Sequence, residues 1–180
     1  ALDAGIGRAG DDKRPAIRAQ APLGNGLDID VGKFIATQGF ENPMAIDNFN
    51  YSTGLMYNFL NPNTLTGLHL RYPFSERLET HLYATNAWDS FSNRNRGFTY
   101  GFGLYYTFDE KWTANVNTLI GPQQFGNSRN LRAMYDVVLT FEPDKDTQIV
   151  GEIDYGNESN VPGLVPGNAH WNAAGLWFRR

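Results

Sequence analysis

From residue 65 onward the chain alternates apolar and polar residues with a period of two, in blocks of about ten, the length a tilted strand needs to cross a bilayer. The clearest block puts Phe98, Tyr100, Phe102, Leu104, Tyr106 and Phe108 on one face. Opposite them stand Gly97, Thr99, Gly101, Gly103, Tyr105 and Thr107, a face too small and polar for a globular core. A second block sets Leu131, Ala133, Tyr135, Val137, Leu139 and Phe141 against Arg132, Met134, Asp136, Val138, Thr140 and Glu142. Weaker strands read at 66–74, 77–87, 111–120, 147–156 and 169–178, and a hairpin joins 15–22 to 27–35 through Gly24-Asn25-Gly26. The pattern predicts an all-β chain, an antiparallel meander of nine strands, preceded by an irregular segment over 1–14.

The connections alternate in length, as they do in a membrane barrel with short turns on one side and long loops on the other. Short turns fall at Gly24–Gly26, Ser75-Glu76, Asp109-Glu110 and Pro143–Asp146; longer polar loops fall at 88–96, 121–130 and 157–168. The stretch 36–64 tests this rule. Reading Tyr51–Phe59 as another strand puts long loops on both sides, whereas a single long connection restores the alternation. Leu55 with Phe59 and Met56 with Leu60, each pair four apart, then predict a short helix within Phe49–Leu60. The sequence therefore predicts one barrel domain over 1–180, whole or partial, with 36–64 as an inward-folded constriction loop.

Composition narrows the class. No apolar run reaches the ~18 residues of a spanning helix, while 14% of residues are aromatic and 19 are glycine, which favours strands. A net charge of −4 with scattered basic residues argues against nucleic acid. The chain has no cysteine and so neither disulfides nor thiolate metal sites. It opens at Ala1 without a basic-then-apolar stretch, so any export signal is expected to have been removed or to lie upstream. Aromatic residues at strand ends predict two interfacial girdles: Tyr72, Phe74, Phe108, Trp112 and Phe141 beside short turns, and Trp88, Phe98, Tyr155 and Trp171 beside long loops. A soluble β-sandwich, carbohydrate-binding or hydrolytic, is the competing reading, in which such aromatics cap a core.

Gly39-Phe40-Glu41, Asn48-Phe49-Asn50-Tyr51-Ser52, Thr66-Gly67 and Asn86-Ala87-Trp88-Asp89, in this order and spacing, resemble the β-barrel porin-2 type family of Gram-negative outer membranes. The resemblance spans about residues 14–178 and is distinctive over 27–97. It implies an outer-membrane location and passive passage of ions or small hydrophilic solutes through a barrel larger than the strands counted here. Two departures, an odd strand count and an end at Phe178-Arg179-Arg180 rather than on an aromatic residue, read as a fragment of that barrel.

The alternation sends Asp28, Asp30, His69, Arg71, Arg77, Glu79, His81, Arg132, Asp136, Glu152 and Asp154 to the polar face. Acidic Glu41 and Asp47 on the loop, facing Arg71, Arg77 or Arg132 on the wall, would set a transverse field that orients dipolar solutes. The plainer alternative is that these charges pair with one another in a wet interior. Glu152 and Asp154 lie two apart on one face, and an acid–base pair for glycoside hydrolysis needs a second element to fix their separation. His69, His81 and His170 fall on different strands without metal-ligand spacing. No nucleophile or phosphate motif occurs, so the sequence predicts no enzyme, no cofactor and no metal site. The expected partners are membrane lipid and small solutes. A homo-oligomer is compatible with the resemblance, as is a non-conducting structural barrel.

Overall fold

The computed structural model describes residues 16–165 and 167–180. Nine strands form one antiparallel sheet in sequence order. They are β1 (Ala16–Ala21), β2 (Leu27–Ile35), β3 (Thr64–Pro73), β4 (Leu78–Thr85), β5 (Thr99–Thr107), β6 (Trp112–Pro122), β7 (Leu131–Asp144), β8 (Thr147–Glu158) and β9 (Ala169–Arg179). Every predicted strand is present within a few residues of its expected limits. The expected irregular segment 1–14, and residue 15 of the first expected strand, lie outside the described residues. The sheet is open, with β1 and β9 as its edges.

The two faces differ as the alternation predicts. Tyr100, Phe102, Val116, Ile120, Tyr135, Val137, Leu139, Ile153, Leu176 and Phe178 project from one face and are exposed. The other, here termed the inner face, carries Asp30, His69, His81, Asn117, Asp136, Glu152 and Asp154, all buried. A β-sandwich requires a second sheet over the apolar face; all nine strands instead belong to one sheet and that face is bare. The sandwich reading therefore fails. An apolar surface this extensive around a polar interior is the arrangement of a barrel wall in lipid.

Short and long connections alternate throughout. Residues 22–26, 74–77, 108–111 and 145–146 make the short ones; 36–63, 86–98, 123–130 and 159–168 make the long ones. The stretch 36–63 holds no strand, only a 3-10 turn (Ala45–Asp47) and the single helix α1 (Leu55–Phe59). It folds over the inner face. Thr37 hydrogen-bonds Tyr83 of β4 and its carbonyl accepts from the Tyr105 hydroxyl of β5. Phe40 packs on Trp177 of β9 with ring centroids 5.2 Å apart.

Beneath the start of this loop, Phe34, Leu65, Tyr83 and Leu119 form the apolar core, flanked by Ala36 and Trp88. Gly101 makes that packing possible: a Cβ there would stand 2.5 Å from Leu119 Cδ2. The row of small residues on this face is what lets large side chains from neighbouring strands meet above it.

Candidate functional site: the polar inner face

Two groups of charged residues occupy the inner face. The first runs across β1 to β4. Antiparallel register sets Arg18 opposite Asp30, Asp30 opposite His69, Asp28 opposite Arg71 and Arg71 opposite His81. Directly opposed side chains on one face lie within contact range, and opposite signs join here. Arg18 Nε donates to Asp30 Oδ1 at 2.9 Å, and His69 Nδ1 lies 3.2 Å from Asp30 Oδ2. His69 Nε2 meets His81 Nδ1 at 2.8 Å, and His81 Nε2 meets Glu79 Oε1 at 3.0 Å. Arg71 closes the group by pairing with Asp28 and approaching Glu79 at 3.7 Å. His69 also stacks on Tyr83, with centroids 4.6 Å apart and planes 2° from parallel.

The second group, on β7 and β8, is acidic throughout. Asp136 lies opposite Asp154 in the ladder, and Glu152 is two residues along the same face. One oxygen from each of the three carboxylates lies within 4.8 Å of the others. Asp136 and Asp154 are 0% exposed and Glu152 is 2% exposed. Among the described residues no basic side chain forms an ion pair with any of them. Two ionised carboxylates about 4 Å apart repel by about 4 kcal/mol at an effective dielectric near 20, so this group costs stability until something compensates its charge.

Neutral donors compensate part of it, and most come from the loop. The Gly39 N–H donates to Asp136 Oδ2 at 3.1 Å and the Phe40 N–H to Glu152 Oε2 at 3.0 Å. Asn61 Nδ2 donates to Glu152 Oε1 at 3.3 Å, and Asn117 Nδ2 of β6 to Asp136 Oδ2 at 2.8 Å. Gly39 adopts φ +82°, and a Cβ there would stand 2.5 Å from Asn61 Nδ2. Glycine is therefore required both by conformation and by space.

Most of the expected inner-face residues are where the alternation places them, and four positions need correction or separate mention. Arg77 lies in the exposed β3–β4 turn and donates to the Phe108 carbonyl, because β4 begins one residue later. Glu41 is buried, but it accepts the Gly54 N–H at 2.7 Å at the start of α1 rather than facing a wall arginine. The Asp47 side chain lies outside the described residues. Arg132 donates through Nε and Nη2 to Glu158 Oε2, at 2.8 and 2.6 Å. Within the loop, burial and then the charges of Asp89 and Glu41 push the Tyr57 phenol above its usual range.

Tyr72, Phe74, Phe108, Trp112 and Phe141 gather at the short-turn end. Tyr72 and Phe74 pack edge to face, and Trp112 stacks on Phe141 at 4.3 Å. Phe74, Phe108 and Trp112 are exposed. At the long-loop end Phe98 and Tyr155 are exposed on the outer face, whereas Trp88 and Trp171 turn inward. Their rings flank the Arg132 guanidinium at 4.9 and 5.8 Å. Together with Asn58, Phe59, Asn61, Asn63 and Asp89 they line a polar recess beside the loop. Asn61, Asn117 and Trp177 were not singled out by sequence reasoning, since neutral amides and strand aromatics carry no motif.

A single antiparallel meander, greasy outside and charged inside with a loop folded across the charges, is the wall of a β-barrel. The family model described as "Putative beta-barrel porin-2, OmpL-like" matches residues 16–179, and the chain belongs to this porin family. No curated protein sequence and no solved structure matches it.

Proposed function

We propose that this chain forms wall and constriction of a passive channel in the outer membrane of a Gram-negative bacterium, admitting ions or small hydrophilic solutes. The observation that carries this reading is the loop 36–63 lying across the polar face of a sheet whose opposite face is exposed and apolar. A loop fixed on the lumen side narrows the path, and the residues around it then decide what passes. Those residues are a self-paired Arg–His–carboxylate group on one flank and an acidic group on the other, with Arg132 between Trp88 and Trp171 at the long-loop end. The net acidity of the second group favours cations. Porin membership and the apolar outer face support a lipid-embedded barrel.

The test is conductance of the barrel that contains this chain, inserted into a planar lipid bilayer. Discrete current steps that grow when the loop is undocked are expected. A barrel that inserts but stays silent at every voltage would overturn the channel reading in favour of a structural barrel.

A further inference from the structure

We propose that Asp136, Glu152 and Asp154, with the Asn61 carboxamide at their edge, bind a hard divalent cation, calcium, through oxygen, and that this ion fixes the loop to the wall. The argument goes beyond close packing of acids. The Gly39, Phe40, Asn61 and Asn117 donors all act on Asp136 Oδ2 or the two Glu152 oxygens. They leave Asp136 Oδ1 and both Asp154 oxygens without any hydrogen-bond partner, in residues that are 0% exposed. Asn61 is itself 6% exposed, and its Oδ1 is also unpartnered although its Nδ2 holds Glu152. Buried carboxylate oxygens lacking both donors and basic partners are costly unless they take up a proton or meet a cation.

The chemistry of the set selects the ion. Carboxylate and amide oxygens are hard ligands that suit calcium or magnesium and not the softer transition metals. Oxygens within 4.8 Å of one another can all reach one calcium at about 2.4 Å each, and calcium accepts irregular shells of protein oxygens whereas magnesium keeps several of its waters. The surrounding N–H donors orient the carboxylates as outer partners do around a metal. Because Asn61 and the donors Gly39 and Phe40 belong to the loop, the bound ion would bridge loop and wall.

The inference is independent of conduction: a silent barrel that binds calcium leaves it standing. The experiment is a calorimetric titration of the folded, chelator-stripped barrel in detergent with CaCl2 alone, repeated with D154N and E152Q, and with D144N at the exposed end of β7 as control. One saturable site is expected in the wild type and in D144N, weakened on the order of tenfold or more in D154N and E152Q. Calcium should also raise the urea midpoint of the wild type and leave that of D154N unmoved. No saturation by about 10 mM, beyond the weakest calcium modules, would overturn the site, as would unchanged affinity in both carboxamide variants. If D154N does not fold, E152Q alone decides.

Discussion

The two charged groups of the inner face are built on the same kind of antiparallel ladder, yet they solve opposite problems. Across β1 to β4, register alternates sign from strand to strand, so Arg18, Asp30, His69, His81, Glu79 and Arg71 pair with one another. Across β7 and β8, register sets acid opposite acid, and four donors, three of them from the loop, hold what the wall alone would leave repelling. Self-pairing makes the first group part of the wall's stability. Dependence on the loop makes the second a place where loop position, charge and permeation are coupled.

The largest effect is expected from breaking the self-paired group. Asp30→Leu keeps most of the volume but removes the carboxylate that Arg18 and His69 share, and it should lower stability by about 3 kcal/mol, the lower end for breaking a buried pair. Urea unfolding in lipid measures it. A loss below about 0.5 kcal/mol, the range of an exposed pair, would show that the network does not hold the wall together. Next is Gly39→Val, which forces a β-branched residue into φ +82° and into Asn61 and Glu152. About 2 kcal/mol of strain is expected, relieved by release of the loop. Single-channel conductance should therefore rise while the barrel still inserts. An unchanged conductance would mean that the loop does not narrow the path.

These contrasts were only partly legible in the sequence. Strands and turns were legible because a period of two survives wherever one face meets an apolar medium and the other does not. The loop was legible because an extra strand within 36–64 breaks the alternation of short and long connections. That Asp136, Glu152 and Asp154 share the polar face was legible, but the pairing of Asp136 with Asp154 was not, because a bulge between Phe141 and Asp144 shifts the β7–β8 register by one. A regular ladder extended from the pair Asp144 and Thr147 would set Asp136 opposite Tyr155, not Asp154. Trp88 and Trp171 were assigned to the outer girdle from their position along the axis alone. Trp171 shares inward parity with Trp177, and Trp88 lies beyond the end of β4, where parity no longer decides. Glu41 was expected to face an arginine, but the unpaired N–H groups at the start of α1 gave it a nearer partner.

A smaller effect, of opposite sign, distinguishes the acidic group. With divalent cations removed, Asp154→Asn deletes one of two directly opposed like charges and should stabilise the barrel by about 0.5–1 kcal/mol. The same chemical change at Asp30 is expected to destabilise. Urea midpoints of the two single variants in chelator test the contrast, and matching signs would erase it.

An effect of similar size concerns Arg132, which sits on the same pair of strands as the acidic group and yet is paired like the first. Its partner Glu158 is directly opposite it in the ladder, four residues along from Asp136 and Asp154. The difference between the two groups therefore does not belong to a particular pair of strands; it follows from which side chains the register sets opposite each other. Arg132 is placed by a carboxylate in front and by the Trp88 and Trp171 rings at its sides. Arg132→Lys keeps the charge and loses the second donor to Glu158 and the planar stacking, a change expected to cost about 0.5–1 kcal/mol. Indole fluorescence of Trp88 and Trp171 should shift with it, and anion exclusion should stay constant because the charge is retained. A change in ion preference equal to that of Arg132→Gln would show that geometry, not charge, governs this end of the channel.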